Sequence, residues 1–349
     1  MSVHSSGVAA TALVQIGAWT NRTLVLPLAI LFPTSRCNSR CVSCDWWKSG
    51  GETDLSVDEI GTLADELKSL GTRVVLFSGG EPLLRPDVFA AAEQCIRRGL
   101  TLHLHTSGLH LERAAVEVAR YFSRVIVSLD APTESLYQQI RGVAALSAVE
   151  RGVARLRRLA PGTPVTARTT LHRLNFREVP ALIDHAKAMG LDGISFLATD
   201  ISTSAFGRHE PDAARRSDLA LTAADVAEFD DVLESTIADH ADDFASGFVL
   251  ESAEKLRRLP RYFAALSGDG AFPSVSCNAP QVSVVIEADG TVRPCFFHRS
   301  IGSIRQQSLT AIVREHLPEF RVEWGGGDNP TCTRCVCSLK TTWRSAPWH

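Results

Sequence analysis

The sequence predicts an α/β fold built on a parallel sheet. Apolar segments of strand length alternate with segments of helical periodicity between residues 24 and 198. Six strands separated by helices require crossover connections, which pair the strands in parallel with right-handed crossings. Ligand sites in such folds lie at the carboxyl ends of the strands. Each polar motif in this half of the chain follows a predicted strand.

The predicted strands are short apolar runs bounded by polar or turn-forming residues. The helices between them carry apolar residues at helical spacing and end at glycine. The first helix begins at a capping box, Ser56-Val-Asp-Glu59, and stops at Gly71. Later helices run from Pro86 to Arg98 and from Phe176 to Met189. The six strands are Leu24–Phe32, Arg73–Phe77, Thr101–His105, Val125–Leu129, Val165–Leu171 and Gly193–Leu197.

The second half of the chain changes character. Residues 200–221 are rich in Ser, Thr, Asp and Arg, which predicts a surface loop or lid. Apolar stripes then predict helices at Thr222–His240 and Leu250–Leu266. An Asp-Gly turn joins the predicted strands Val282–Glu287 and Thr291–Arg293 into a β-hairpin.

Composition favours a cytoplasmic enzyme. The chain has 349 residues, of which 45% are hydrophobic, enough for one large domain and a smaller one. The net charge of −3 provides no basic field for nucleic acid. The apolar stretch Val8–Trp19 is shorter than a membrane span and lacks a basic leader, so we expect neither a membrane segment nor a signal peptide.

The nine cysteines are distributed as metal ligands would be. Three lie near the start of the chain and five near its end. A disulfide framework would scatter them through a small secreted chain. The remaining one, Cys95, lies on a helical pattern and is expected to be a buried hydrophobe.

The first group, Cys37-x3-Cys41-x2-Cys44, supplies three thiolates. Four-iron clusters normally take four cysteines, so three leave one iron open to another ligand, as catalytic metal sites do. A structural zinc site or a ferredoxin-type cluster is the alternative. Zinc would need a fourth Cys or His close by, and the next histidine in the chain is His103.

The arrangement resembles the radical S-adenosylmethionine (SAM) superfamily. In that family the amine and carboxylate of SAM chelate the open iron. A Gly-Gly-Glu-Pro turn after the second strand binds the SAM amine, and this chain has that turn after its own second strand. The resemblance implies a partial (β/α)6 barrel. It also assigns SAM contacts to Gly79, Gly80, Glu81 and Pro82.

Two further motifs extend the resemblance. Family members carry a Ser-x-Asp at the fourth strand and an Arg on the next helix, which match Ser128, Asp130 and Arg141. The planar guanidinium suits a carboxylate such as that of SAM. A Thr-Asn-Gly turn of the family corresponds to Thr106-Ser107-Gly108, with Ser107 in the position of the Asn.

The second cysteine group resembles an auxiliary-cluster module. The spacing Cys277-x17-Cys295 around a hairpin is similar to the opening of a SPASM domain, and five cysteines instead of seven match its shorter "twitch" form. That resemblance implies a second 4Fe–4S cluster on Cys277, Cys295, Cys332 and Cys335, with Cys337 as a spare or replacement ligand. A structural zinc knot is the alternative.

The resemblance implies four regions. They are an N-terminal extension (1–23), a radical SAM barrel (24–200), a lid or linker with helices (201–276) and a twitch- or SPASM-like hairpin-and-helix domain (277–349). No catalytic residue is assigned. Polar residues that could face substrate are His103, His105, Arg168, Asn175 and His298.

The implied activity is reductive cleavage of SAM to a 5′-deoxyadenosyl radical, which removes hydrogen from a substrate. The auxiliary cluster would assist net oxidation or remodelling of a small molecule such as a sugar or aminocyclitol. A flavodoxin or ferredoxin would supply the electron. Because only about 30 residues precede Cys37, a leader-binding domain is not expected. The alternatives are modification of a ribosomally made peptide, a tetrapyrrole-pathway reaction, and a non-enzymatic iron–sulfur electron carrier.

Overall fold

A computed structural model describes residues 3–208, 213–337 and 339–340. Small parts of the predicted regions 1–23, 201–276 and 277–349 therefore lie outside the described residues. The helices are α1 Val3–Thr20, α2 Val57–Ser69, α3 Val88–Arg97, α4 Leu111–Tyr121, α5 Glu134–Arg141, α6 Leu146–Leu159, α7 Val179–Ala188, α8 Ala213–Leu219, α9 Ala223–Asp239, α10 Ala241–Ala245, α11 Ala253–Leu256, α12 Arg258–Leu266, α13 Ala279–Val282, α14 Leu309–Trp324 and α15 Pro330–Thr333.

The strands form one sheet in the order β6-β5-β4-β3-β2-β1-β7-β8-β9. The strands β1 to β6 pair in parallel, as the alternation of strands and helices predicted. Each matches a predicted strand, with ends shifted by up to four residues. The strands are β1 Leu28–Thr34, β2 Val74–Gly79, β3 Thr101–Thr106, β4 Arg124–Ser128, β5 Val165–Leu171, β6 Gly193–Ala198, β7 Ser283–Ile286, β8 Thr291–Arg293 and β9 Gly302–Ser303.

Local signals in the sequence set the helix ends. The predicted capping box is present at α2, where Ser56 Oγ accepts from the Glu59 backbone N–H and Glu59 Oε2 accepts from the Ser56 N–H. Together these bonds satisfy two donors that the first turn of a helix leaves free. The helix ends before Gly71, whose φ of 76° needs a residue without Cβ.

One predicted helix was wrong. The segment Leu250–Leu266 contains two helices, α11 and α12, which meet at Arg257. Pro260 lies in the first turn of α12. It has no N–H to bond back to the preceding turn, so it is tolerated at a helix start but interrupts a continuous helix.

The predicted hairpin is confirmed. Its position in the fold was not predicted from the sequence. The strands β7 and β8 pair antiparallel, with Val285 opposite Arg293. The other edge of β7 pairs in parallel with β1, placing Leu28 opposite Ser283 and Leu31 opposite Ile286. The hairpin therefore extends the barrel sheet instead of standing apart from it. This pairing brings the second cysteine group next to the strand that leads into the first.

No helix among the described residues combines the length and the apolar character that crossing a bilayer requires.

Candidate cofactor and substrate site

The first cysteine group lies on the loop after β1, at the carboxyl edge of the sheet. Backbone bonds fix this loop against α5, from Arg40 N–H to Arg141 O at 2.8 Å and from Val42 N–H to Ile140 O at 3.0 Å. The three thiols line one cavity of about 410 Å³. Strand ends supply most of the rest of its lining, as expected for a parallel α/β sheet.

Burial sets the electrostatics of these thiols. Together with a smaller effect of neighbouring cysteines, it raises the pKa of Cys37 to about 11 and that of Cys44 to about 12. Burial also raises the pKa of Cys41. The thiolate is the form that binds metal, so the charge of bound iron is needed to ionise this group.

No single-ion site is formed by the described residues. No three His, Cys, Asp or Glu side chains within them are grouped as ligands of one metal ion. A tetrahedral zinc ion holds all its ligands at about 2.0–2.3 Å. In a four-iron cluster, by contrast, each thiolate binds a different iron.

The glycine turn after β2 approaches the cysteine loop closely. Gly79 has a φ of 103°, a conformation that favours glycine. A Cβ on Gly80 would lie 2.1 Å from the backbone oxygen of Arg36, directly before Cys37. Both glycines line the cavity. The pair is therefore required so that two backbone segments can meet beside the thiols.

Gly80→Ala is expected to displace the cysteine loop. The added methyl meets backbone, which cannot rotate away as a side chain would, so the variant should bind fewer than half of the iron atoms held at the first group. Iron content and the spectrum of the reconstituted protein measure this effect. Gly162→Ala is the matched control, because a Cβ there meets nothing within 4 Å. Normal iron content in Gly80→Ala would contradict the role given to this close approach.

Glu81, which the sequence assigns to SAM, also makes hydrogen bonds within the protein. Its carboxylate is fully buried and accepts from Thr106 Oγ1 at 2.7 Å, Ser107 N–H at 2.6 Å and Leu83 N–H at 3.0 Å. These bonds tie the glycine turn to the end of β3. Glu81 and Pro82 are not among the cavity-lining residues. The side chain of Glu81 thus positions neighbouring backbone, and only the backbone of this turn is left to contact a ligand.

The other residues expected to contact SAM come together in the cavity. Arg141 Nη1 donates to Asp130 Oδ2 at 2.8 Å, and Asp130 Oδ1 accepts from the Thr170 N–H at 2.8 Å. Ser128 Oγ lies 3.5 Å from Nε2 of His105. Ser107, Ser128, Asp130 and Arg141 all line the same cavity as the three cysteines.

Unpartnered polar atoms in this cavity fit a polar ligand. The Nε of Arg141 and the Oγ of Ser107 are buried and make no hydrogen bond within the described part of the chain. Burying such groups without a partner is costly, so they are normally paired or bind a ligand. A guanidinium donor and a hydroxyl beside a three-thiol loop suit the carboxylate and hydroxyl groups of SAM.

The remaining polar candidates from the sequence differ in whether they line this cavity. His105 lines the cavity, and burial lowers its pKa to about 4, so its ring is neutral at pH 7. His103 lies away from the cavity lining. Asn175 is fully buried and holds a turn by donating to Asp130 O at 2.9 Å. Cys95 is fully buried in α3, as predicted.

The loop after β6, residues 200–208, contacts the cysteine loop. A buried ion pair between Asp200 and Arg208 holds its two ends, and Phe206 O accepts from the Asp45 N–H at 3.0 Å. Phe206 has a φ of 61°, an uncommon conformation for a bulky residue. A Cβ on Gly207 would lie 2.9 Å from Trp46 N. The polar composition of this segment predicted a surface loop but not its contact with the site.

The second cysteine group also gathers around one cavity. Cys277, Cys295, Cys332, Cys335 and Cys337 all line it. Burial, with smaller effects of Cys332 and Cys277, raises the pKa of Cys295 to about 12. Nε2 of His298 lies 3.2 Å from Sγ of Cys332. All five cysteines of this group therefore border the same cavity.

Cys337 connects the two halves of the site. It lines the cavity of the first cysteine group as well as that of the second. It also lines a third cavity of about 240 Å³, together with Arg168, Glu251 and Lys255. The cavities of the two cysteine groups and the third cavity therefore share Cys337 as a lining residue.

Charged residues that sequence reasoning missed line this third cavity, Glu251 and Lys255 among them, together with the predicted Arg168. Glu251 is buried and accepts from Ser195 Oγ and the Phe196 N–H, both at 2.9 Å. Arg168 and Lys255 each lie 3.7 Å from the same carboxylate. Two cations thus share one anion that is already hydrogen-bonded, which leaves positive charge free for a ligand.

Comparisons with known proteins agree with this arrangement. A model of the radical SAM superfamily matches residues 31–186, and a model of an iron–sulfur cluster-binding domain, SPASM, matches residues 277–336. The chain is 33% identical over 162 residues to the AdoMet-dependent heme synthase of Methanosarcina barkeri (strain Fusaro / DSM 804), covering 45% of this chain and 46% of that protein. It is 31% identical over 175 residues to the PqqA peptide cyclase of Rhodopseudomonas palustris (strain ATCC BAA-98 / CGA009), covering 49% and 46%.

The matched regions span less than half of each of these relatives.

Solved structures match more of the chain at lower identity. Streptococcus suis SuiB bound to its precursor peptide SuiA superposes with a TM-score of 0.64 at 12% identity, covering 94% of this chain and 75% of SuiB. The enzyme anSMEcpe with bound AdoMet and the Kp18Cys peptide gives 0.66 at 18% identity, covering 88% and 86%. At these identities the likeness shows the shared fold.

The two domain matches contain all eight clustered cysteines except Cys337, which directly follows the second match. The residues around both groups fit 4Fe–4S clusters and SAM. Residues 31–186 thus form a radical SAM domain, and residues 277–336 form a C-terminal iron–sulfur cluster-binding domain of the SPASM type.

Proposed function

We propose that this chain is a radical SAM oxidoreductase that oxidises or remodels a small molecule. The main support for this proposal is that one cavity is lined both by the three-cysteine loop and by Cys337 of the second cysteine group. When bound, SAM and its cluster supply a 5′-deoxyadenosyl radical that removes hydrogen, and the auxiliary cluster supplies an acceptor for the electron left on the substrate. A flavodoxin or ferredoxin is the proposed reductant.

The proposed ligands follow from the two cavities. Cys37, Cys41 and Cys44 would hold the first cluster. SAM would lie against Gly79, Gly80, Ser107, Ser128, Asp130 and Arg141. Cys277, Cys295, Cys332 and Cys335 would hold the auxiliary cluster. Because Cys337 also faces the other two cavities, it is the member of the group best placed to remain free.

Aromatic side chains would keep water from the reacting atoms. Phe296 stacks on Phe32 and on Phe206, in both cases with ring centroids 6.1 Å apart. Trp46 meets Phe32 edge to face at 5.6 Å. This wall joins the cysteine loop, the loop after β6 and the segment after Cys295. Excluding water protects reactive intermediates and strengthens electrostatic contacts inside the site.

The charges that line the third cavity favour one kind of substrate. Arg168 and Lys255 carry two positive charges against the single negative charge of Glu251. A carboxylate on the substrate would balance the remaining charge and accept bonds from the guanidinium. We therefore propose a small molecule with an anionic group, of which sugar acids and amino acids are examples.

Arg168→Gln is expected to weaken substrate binding. The substitution removes a cation but keeps a side chain of similar reach, so KM should rise about tenfold or more, as for a lost charged hydrogen bond. SAM cleavage without substrate should persist. Arg299→Gln is the control, because Arg299 is exposed and pairs with Glu323 at the surface. An unchanged KM would exclude Arg168 from substrate binding.

A peptide substrate is the second candidate. The PqqA peptide cyclase relatives and the peptide-bound neighbours favour it. The heme synthase and the Fe-coproporphyrin III synthase relatives likewise favour a tetrapyrrole. An electron carrier would not need a cavity in which Asp130 and Arg141 lie beside the three cysteines.

Deuterium transfer tests the proposal. Reconstituted protein is incubated without oxygen with SAM, dithionite and deuterated candidates from each class, namely sugar acids, peptides and tetrapyrroles. The proposal expects deuterium in 5′-deoxyadenosine from a small acidic molecule. Transfer from a peptide or tetrapyrrole alone would replace the proposed substrate class, and no SAM cleavage at all would reject the enzyme.

A further inference from the structure

The imidazole of His298 is fixed between two elements of the C-terminal domain. Its ring packs edge to face on Phe320 of α14, with centroids 4.8 Å apart. Its backbone oxygen accepts from Arg293 Nη1 of β8 at 3.0 Å, and Arg293 Nε in turn donates to Glu287 at 2.8 Å. The ring orientation is therefore set from both sides, by the hairpin and by the helix.

This orientation places Nε2 of His298 3.2 Å from Sγ of Cys332. The cysteine is fixed too, because its N–H donates to Asn329 Oδ1 at 3.0 Å at the start of α15. A histidine protonated at Nε2 donates to a thiolate at that distance. Backbone N–H groups approach two other sulfurs of the group, Cys277 from Ala279 at 3.4 Å and Cys335 from Cys337 at 3.3 Å.

We propose that His298 donates a hydrogen bond to the Cys332 thiolate and thereby raises the reduction potential of the auxiliary cluster. A reduced cluster carries one more negative charge than an oxidised one. A donor aimed at a ligand sulfur stabilises the more negative state, and such bonds are among the features that set cluster potentials. His298 is thus a positioning residue for electron transfer and makes no contact with substrate.

The consequence concerns the direction of electron flow. A higher potential makes the auxiliary cluster a better acceptor for an electron left on a substrate. The inference requires that these cysteines hold a cluster, which is part of the proposed function. It does not depend on which substrate is used, and its test needs no turnover.

The test measures the midpoint potential of the auxiliary cluster alone. A full-length chain with Cys37→Ala, Cys41→Ala and Cys44→Ala carries only that cluster, which is titrated with reductant and followed by electron paramagnetic resonance. In this background His298→Phe keeps the ring packing on Phe320 and removes the donor. His298→Gln retains an N–H donor of similar reach. His316→Phe removes a partly exposed histidine of α14 that pairs with Glu319, and serves as control.

We expect His298→Phe to lower the potential by about 59 mV, which corresponds to a tenfold change in a one-electron equilibrium. His298→Gln and His316→Phe should stay close to the parent value. An unchanged midpoint potential in His298→Phe would overturn the proposal. So would a His298→Gln variant whose potential falls as much as that of His298→Phe. If His298→Phe fails to hold iron, the test rests on His298→Gln. A midpoint potential close to that of the parent protein would then support the proposal. Loss of iron in both variants would assign His298 to holding the cluster and would also overturn it.

The same titration separates failure of the inference from failure of the proposed function. A parent protein that binds no iron at the second group would reject the auxiliary cluster itself. A parent that binds about four irons and titrates reversibly would leave that cluster established, whatever the His298 variants show.

Discussion

Replacing Cys37, Cys41 and Cys44 with alanine is expected to abolish SAM cleavage. The three thiols line the cavity that also contains Asp130, Arg141 and the glycine turn. Without them no iron is available beside the unpaired donors that would hold SAM. Bound iron should fall from about eight to about four atoms per chain, because the second group keeps its cluster. Chromatography of 5′-deoxyadenosine and an iron assay measure the two effects.

The control for this experiment is Cys95→Ala. Cys95 is free but fully buried in α3 and belongs to neither cysteine group. Its loss costs some core packing and should change neither iron content nor SAM cleavage. Retained cleavage in the triple variant would refute the assignment of the first group.

The second large effect is expected for Cys332→Ala combined with Cys335→Ala. These residues line the cavity shared by the second group, and Cys335 lies close to Cys295, Cys277 and Cys337. The variant should keep about four irons and still cleave SAM, because the first group is intact. Net oxidation of substrate should be lost, since the remaining electron has no acceptor. Product analysis with the substrate found by deuterium transfer measures this loss.

Cys337→Ala is the matched comparison for that double variant. If Cys337 is the spare thiol, its alanine variant keeps about eight irons. A fall to about four irons would instead make it a ligand. Product formation at the full rate in the Cys332→Ala, Cys335→Ala variant would contradict the role of the auxiliary cluster as acceptor.

Sequence patterns predicted the parts of the site that are local in the chain. The close spacing of Cys37, Cys41 and Cys44 on one loop places all three thiols in the lining of one cavity. The glycine turn and Asp130 follow strands whose apolar runs were clear, so their place at the sheet edge could be foreseen. The capping box at Ser56 is likewise complete within four residues.

The parts that sequence did not predict depend on contacts between distant segments. The pairing of β7 with β1 joins residues about 255 positions apart and has no local signal. Glu251 is held at the third cavity by hydrogen bonds from Ser195 and Phe196 of β6, which lie more than 50 positions earlier in the chain. The hydrogen bonds of the Glu81 carboxylate could not be foreseen because two of its partners, Thr106 and Ser107, come from the end of the next strand.

The most direct test of the central claim is the response of the first cluster to SAM. In the Cys332→Ala, Cys335→Ala background only that cluster is present, so its electron paramagnetic resonance spectrum can be followed alone after reduction. The expected result is a changed spectrum on addition of SAM, because an iron with three cysteine ligands has a position open to it. A spectrum that stays the same at saturating SAM would contradict the assignment.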